Sequence, residues 1–409
     1  MKILQVNCVY KDGSTGKITR DLHQELIELG IDSVVCYGRG NIYSEKKVYK
    51  ITSELYSHIN HLIANISGIL YGGCYLSTKK LERIIEKEKP DIVHLQCING
   101  FFINIYRVIE WLKNNNIKTV LTLHAEFMYT GGCGHSINCN QWKSYEGCGH
   151  PNCPQLKSQI KAYFFDRTAT MWHRMKKAFD GYDHNLAVVS VSPWLQSRAE
   201  SSVILYGKNH STILNGVDTN IFYFRYDLTI KKNLGIKGEK IIFYVTPYFS
   251  INPNDIKGGY HIFQLADRLK KDNAYILVAG TYDKRVNIPQ NMIMLGKITD
   301  QNELAEYYSL ANVTVLTSKR ETFSMVTAES LCCGTPVIGF KAGGPEYIAI
   351  PEYSEFVEHS NVELLYNTIL KWISNPVDKV AISEKAREKY SKETMCKNYI
   401  KIYNELIHS

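Results

Sequence analysis

Along the whole chain, apolar runs short enough for buried strands alternate with longer amphipathic runs, and they do so in two separate series. KILQVNCVY, SVVCYG, DIVHLQ, TVLTLH and LAVVSVS form the first, which ends near residue 205; KIIFYVT, AYILVAG, MIMLG, VTVLTS and TPVIGF form the second. Between the first two strands, Ile18 to Leu29 has a helical pattern, with Gly30 as its stop. Strands separated by helices predict a parallel sheet wrapped on both faces, so the fold class is α/β. Two series predict two domains, and a chain of 409 residues is too long for one ordinary core. The expected domains cover residues 1–208 and 209–384, with a basic helical tail at about 385–409 that packs back on the first. No low-complexity linker joins them, and Asn215-Gly216-Val217-Asp218 reads as a tight connector. Open parallel sheets bind ligands beyond the carboxyl ends of their strands. The two sheets are expected to face a central cleft, with the functional motifs just after strands.

Composition narrows the class of partner. A net charge of +8 suits anionic ligands or an anionic membrane surface. Basic tracts with interleaved aromatics and zinc-finger helix patterns do not occur, so nucleic acid is not an expected partner. MKILQVNCVY runs straight into a strand pattern without the shape of a signal peptide, and no apolar run of about 18 residues predicts a spanning helix. With 11 cysteines, an odd number, the expectation is a reducing cytoplasm and no disulfide framework.

The richest segment is VTVLTSKRETFSMVTAESLCCGTPVIGF, which reads strand, loop, helix, glycine stop, strand. Thr322 is placed to cap a helix starting near Phe323, and Gly334 to end it. Glu321 then sits at the strand's carboxyl end, and Glu329 about two turns into the helix. A helix N-terminus is a site for an anion. The unit therefore offers a diphosphate site flanked by two carboxylates that can accept hydroxyl hydrogen bonds. Two glutamates at this spacing, taken alone, are more often solvated surface residues; the strand before them and Gly-Thr-Pro and Gly-Gly-Pro-Glu after them favour a site.

This segment resembles the signature of the retaining GT-B glycosyltransferases of family 4, and the likeness is strongest from about Phe243 to Tyr347. It implies two Rossmann-like domains. Glu321 matches the glutamate that lies against the donor sugar, with Thr322, Phe323 and Ser324 beside it, and Glu329 matches the one that holds the ribose hydroxyls. Gly343 and Gly344 match the loop that closes near the donor. Lys257-Gly258 matches the pair that binds the donor diphosphate, where a cation offsets charge on the leaving group. Lys297-Ile298 matches the loop that holds the base through backbone groups. An arginine common in the family shortly before the lysine is absent from Pro247 to Asn254.

In the first domain Asp12-Gly13-Ser14-Thr15-Gly16 follows the first strand, and its Gly13 and Gly16 let the backbone approach a ligand. Such a loop also serves as a plain strand-to-helix turn; the family places it under the diphosphate. His124 ends TVLTLH and matches the family's histidine near the donor sugar. Relatives usually follow it with aspartate, whereas here Ala125 and Glu126 follow. Whether Glu126 replaces that carboxylate is open.

Cys133, Cys139, Cys148 and Cys153 fall within 21 residues, with His135 and His150 between them. A bacterial polysaccharide-type subgroup of the family carries a similar cysteine-rich insert. Four soft ligands suit a structural zinc, although spacings of five, eight and four match no common knuckle; unlinked thiols are the alternative, and redox chemistry a more distant one. The insert is expected to form part of the acceptor wall. From Gln155 to Lys177 a helical stretch mixes Lys157, Lys161, Lys176 and Lys177 with Tyr163, Phe164, Phe165 and Trp172, and suits either an ordinary surface or an anionic membrane.

The resemblance thus implies a hexosyltransferase-type enzyme using a UDP- or GDP-sugar, with His124, Lys257 and Glu321 at the reacting centre. Neither a catalytic metal nor an organic cofactor is expected. A growing saccharide, carried on a polyprenyl lipid at the inner face of the cell membrane, is the expected acceptor. A sugar-nucleotide epimerase on the same fold and a non-catalytic carbohydrate-binding relative are the rival readings. The donor sugar, the linkage and the oligomeric state are not encoded legibly.

Overall fold

The computed structural model of the protein describes residues 1–226, 230, 234 and 240–408. They form two compact units: Met1–Leu214 together with the residues from Met395 on, and Asn215–Thr394.

The first unit is built on seven parallel strands, β1 (Lys2–Val9), β2 (Asp32–Arg39), β3 (Val48–Lys50), β4 (Ile92–Leu95), β5 (Thr119–Leu123), β6 (Leu186–Ser190) and β7 (Asn209–Thr212). Their spatial order is β3-β2-β1-β4-β5-β6-β7, so the direction of winding reverses between β1 and β4. Every residue of β4, β5 and β6 is buried, as expected of strands covered on both faces. Six helices connect them: α1 (Gly13–Glu28), α2 (Glu54–Ser67), α3 (Tyr75–Glu88), α4 (Ile105–Asn114), α5 (Thr168–Phe179) and α6 (Pro193–Glu200). Their starts are chemically marked. Asn104 caps α4, and Ser192 caps α6 with Pro193 at its first position.

The second unit holds β8 (Lys240–Phe249), β9 (Ala274–Tyr282), β10 (Met292–Gly296), β11 (Val313–Leu316), β12 (Val337–Phe340) and β13 (Ser354–Val357). All pair in parallel in the order β10-β9-β8-β11-β12-β13, which reverses between β8 and β11. Its helices are α7 (Gly259–Leu269), α8 (Gln301–Leu310), α9 (Met325–Cys332), α10 (Gly344–Ile348), α11 (Val362–Ser374) and α12 (Lys379–Tyr390). Ile262 and Leu265 of α7 and Leu365 and Ile369 of α11 share a core with Ile242, Ile276 and Val315 from the strands.

The expected single C-terminal helix is two. Helix α12 ends before Ser391, whose hydroxyl accepts from the Thr394 N–H (3.1 Å) and starts α13 (Lys392–His408). Residues of α13 pack on the first sheet. The Tyr403 hydroxyl meets His94 Nδ1 (2.7 Å), the Tyr399 hydroxyl meets Thr122 Oγ1 (2.9 Å), and Lys118 Nζ donates to the Leu406 carbonyl (2.7 Å). Burial lowers His94 to about 3, so it joins this network neutral.

The helix expected over residues 155–177 is also corrected: only Thr168–Phe179 is α-helical, after a single π-type turn at Leu156–Ile160. Local side-chain bonds and one tertiary bond claim the intervening backbone. Lys157 Nζ donates to the carbonyls of Ala162 (3.0 Å) and Tyr163 (2.7 Å), and the Tyr163 N–H donates to the Asn65 carbonyl of α2 (2.8 Å).

Candidate functional site

Ligands of open parallel sheets lie where the strand order reverses, and in the second unit that point lies between β8 and β11. Lys257 follows the first of these strands and Glu321 the second. Their side chains meet, Lys257 Nζ donating to Glu321 Oε1 at 2.6 Å. Both loops are held from behind. The Lys257 N–H donates to Asp255 Oδ1 (2.9 Å), the Tyr244 hydroxyl to the Lys257 carbonyl (2.7 Å), and the Lys319 N–H to the Ile256 carbonyl (2.7 Å). Gly258 has φ +73°, and a Cβ there would lie 2.1 Å from the Thr317 carbonyl oxygen, so only glycine lets the loops approach this closely. Helix α7 opens at the next residue, placing its first N–H groups in line after Lys257.

Glu321 also ties in the glycine loop. Its N–H donates to the Ala342 carbonyl (3.0 Å), and the Gly344 N–H donates to the Glu321 carbonyl (2.8 Å). The cap of α9 is a correction. Ser324, rather than Thr322, caps it, its hydroxyl accepting from the Thr327 N–H at 3.2 Å, and the helix starts at Met325. Thr322 and Phe323 are buried in the loop before it. Ser324 has φ +87°, a backbone state that costs a non-glycine residue about 1–3 kcal/mol and is found mainly where a site demands it. Glu329 is on the second turn of α9, where Tyr308 donates its hydroxyl to Oε2 at 3.1 Å. Burial, then the neighbouring Glu329 charge, push that phenol well above its usual value, so Tyr308 stays a donor. Lys297 and Ile298 follow edge strand β10, which β9 separates from β8. The loop Pro247–Asn254 before Lys257 holds no arginine, but Lys319 and Arg320 bring cationic charge to the facing loop, close enough to help burial keep His359 neutral.

In the first unit the order reverses at β1, whose end carries Gly13 and Gly16. The two glycines differ. Gly13, φ +66°, has nothing within 4 Å of an added Cβ, whereas at Gly16 a Cβ would meet Val9 at 3.1 Å. Gly13 faces open space, and Gly16 serves the contact of helix with strand. His124, after β5, is lowered to about 4 by desolvation and is a neutral imidazole at neutral pH.

Glu126 is a staple inside the fold rather than a replacement for the aspartate that usually follows that histidine. It is fully buried and accepts from Arg198 Nε (2.6 Å), the Ser136 N–H (2.6 Å), the Ser136 hydroxyl (3.1 Å) and the Tyr129 hydroxyl (3.1 Å). The Arg198 guanidinium lies 4.8 Å from the centroid of buried Trp142. Sequence reasoning missed both Arg198 and Tyr308, because nothing local marks a partner 72 or 21 residues away.

The segment pinned by Glu126 carries the cysteines. Cys133, Cys139, Cys148 and Cys153 are free thiols that line one cavity of about 10 Å³, room for a single small occupant. The Gly131 N–H donates to Cys148 Sγ (3.1 Å). A hydrogen bond between Cys133 and Cys153 pushes the former thiol up and the latter down. Among the described residues no group of three or more His, Cys, Asp or Glu side chains is placed to hold a metal ion as it stands.

Solved structures share this architecture along the whole chain. It is similar to sucrose-phosphate synthase from Thermosynechococcus elongatus (TM-score 0.69, 16% identity, 100% of both chains covered). It is also similar to HepE of Anabaena, solved in complex with UDP (TM-score 0.65, 14% identity, covering 99% of this chain and 100% of that one). These likenesses define the fold as that of the GT-B glycosyltransferases. The chain belongs to Glycosyltransferase Family 4, whose model matches residues 15–221, and the model of Glycosyl transferases group 1 matches residues 228–389. Among curated relatives, the putative colanic acid biosynthesis glycosyl transferase WcaC of Escherichia coli (strain K12) is 22% identical, with 99% of this chain and 100% of that protein covered. N-acetyl-alpha-D-glucosaminyl L-malate synthase of Bacillus anthracis is 21% identical, with 98% and 96% covered.

Proposed function

We propose that this glycosyltransferase moves a hexosyl group from a UDP- or GDP-sugar to a saccharide acceptor, retaining the anomeric configuration, in the synthesis of a cell-surface polysaccharide. The observation that carries this reading is the Lys257–Glu321 pair at the reversal point of the second sheet. A donor diphosphate draws the Lys257 ammonium from Glu321, and the freed carboxylate accepts from hydroxyls of the donor sugar. The bond from the anomeric carbon to the phosphate oxygen breaks as the bond to the acceptor oxygen forms. The acceptor's proton passes to the leaving phosphate on the same face, so neither a base on the opposite face nor a metal is needed. The chain's part is to position both substrates and to stabilise the charge that develops on the diphosphate. Neutral His124 supplies a hydrogen bond near the sugar. HepE was solved in complex with UDP, and WcaC is a putative colanic acid biosynthesis glycosyl transferase; these likenesses support a nucleotide-sugar donor and a polysaccharide product.

A thermal-shift screen of nucleoside diphosphates tests the donor class, since ligands that bind only the folded chain raise its stability. Incubation with the matching nucleotide-sugar, with and without acceptor, separates transfer from epimerisation. Glu329→Ala is expected to weaken binding of the matching nucleoside diphosphate by about 1–3 kcal/mol, as an acceptor for the ribose hydroxyls is lost. Calorimetry giving unchanged affinity would remove Glu329 from the site.

The acceptor in this reading is a saccharide on a polyprenyl lipid, met at the inner face of the cell membrane by a peripherally bound enzyme. Among the described residues no helix is long and apolar enough to cross a membrane. The cysteine pocket belongs to the acceptor wall, and its four thiols take up one structural zinc. Support comes from their convergence on one small cavity; a cysteine re-aims its sulfur by turning about χ1. Protein purified without chelator is expected to hold about one zinc per chain, a closed four-thiolate site binding one ion. A metal-free protein whose four thiols react freely with a thiol reagent would refute the zinc.

A further inference from the structure

Helix α2 faces the wrong way for an ordinary surface helix. Its buried residues are Ser57, Ala64 and Asn65, small or polar. Its solvent side carries Leu55, Ile59, Leu62, Ile63 and Ile66, with Leu55 71% and Leu62 56% exposed. The spacing of those five residues is helical, so they form one stripe. The stripe continues onto neighbouring segments. The loop Tyr163-Phe164-Phe165 abuts the end of α2, where the Tyr163 N–H bonds the Asn65 carbonyl and a Cβ on Gly68 would lie 2.3 Å from the Phe165 carbonyl oxygen. All three aromatic rings are exposed, Phe164 at 71%. On the other flank the Tyr56 hydroxyl accepts from the Leu76 N–H (3.2 Å), which sets exposed Tyr75 and Leu76 beside the stripe. Single exposed apolar residues are normal, but a contiguous patch of ten marks an interaction site.

The charges around this patch have one sign to spare. Lys161 is near enough to His61 of α2 to act on it electrostatically, and Arg167 packs on Gly68. Arg174 lines a cavity of about 200 Å³ together with Asn60, Ile63, Tyr71 and Phe101. The nearby carboxylates are already engaged: Glu54 by Arg39 and Lys50, Glu82 by Arg107 and Lys79, and Asp166 by the Cys153 and Thr168 N–H groups. Exposed leucine, isoleucine and phenylalanine within a cationic rim complement the acyl boundary and anionic headgroups of a bilayer.

From these observations we infer that the face formed by α2, the Tyr163–Phe165 loop and the start of α3 docks on an anionic lipid surface. The inference deepens the proposed peripheral membrane contact and places its docking face. Docking there brings the Arg174 cavity against the headgroups, where a lipid-borne phosphate arrives.

Flotation of the full chain with vesicles tests it. Binding is expected to phosphatidylcholine vesicles containing phosphatidylglycerol, weaker binding to phosphatidylcholine alone, and release as salt screens the charge term. The variants L62S/I66S and F164S change exposed side chains only. Each is expected to lower the vesicle-bound fraction about tenfold, in proportion to the apolar area withdrawn from the lipid. Melting temperature and nucleoside diphosphate binding should be unchanged. Failure to float on anionic vesicles, or equal flotation of parent and variants, overturns the inference. A concentration-dependent dimer that these variants dissociate also overturns it, by identifying a second copy as the occupant. Nucleotide binding is read in the same samples: a parent chain that binds a nucleoside diphosphate but does not float refutes this face alone, and a parent chain that binds no nucleoside diphosphate refutes the transferase reading.

Discussion

Lys257→Ala is expected to lower turnover by roughly 100-fold or more, the cost of removing one preorganised charge-stabilising group, while the fold stays intact. Lys257 Nζ has Glu321 as its charged partner at 2.6 Å, and both side chains are partly exposed. Such a pair adds little to stability, so losing the ammonium spares folding and removes the cation that meets the leaving diphosphate. Steady-state kinetics with the nucleotide-sugar, alongside thermal melts, provides the check. Lys257→Arg keeps the charge and is expected to recover part of the rate. Near-normal turnover in the alanine variant would show that the N-terminus of α7 and the backbone carry the charge without it.

The second large effect concerns stability. Glu126 is fully buried, and Arg198 is the cation that compensates it. Arg198→Ala leaves that carboxylate uncompensated, and breaking a buried pair from one side typically costs about 3–5 kcal/mol. The loss is expected in the first unit. Denaturant titration read by tryptophan fluorescence reports on it, because Trp142 is fully buried with the guanidinium against its ring. A change within about 0.5 kcal/mol, the size usual for a surface substitution, would mean that the pair is not a staple. Glu126→Gln, which removes the charge and keeps acceptors for Ser136 and Tyr129, is expected to cost less than Arg198→Ala.

Two of the corrections to the local reading share one cause. Residues 155–167 have helix-forming composition, yet the Lys157 side chain takes the Ala162 carbonyl and the Asn65 carbonyl, from across the fold, takes the Tyr163 N–H. Thr322 is a good cap by type, but the bond between Glu321 and the Gly343–Gly344 loop holds it back from the helix, and Ser324 takes the position at a strained φ. In both places specific hydrogen bonds, at least one of them tertiary, override propensity, which is worth only tenths of a kcal/mol per residue.

Each strand with an apolar run was legible in the sequence, because a parallel strand buried on both faces must be apolar throughout. The unmarked strands were β3, β7 and β13 (VYK, NHST and SEFV), all at sheet edges, where one side needs no partner strand and the run can stay short or polar. Lys257, Glu321 and Glu329 could be picked out because the segments around them resemble the family's signature; by spacing alone a lysine beside glycine and two glutamates eight residues apart read as surface residues. That Lys257 and Glu321 touch, that Arg198 holds Glu126, that Tyr308 holds Glu329 and that α2 turns its apolar stripe to solvent were decided by the tertiary structure alone. Each depends on which strands lie side by side or which face of a helix is covered, and neither is written in the spacing of residues along one segment.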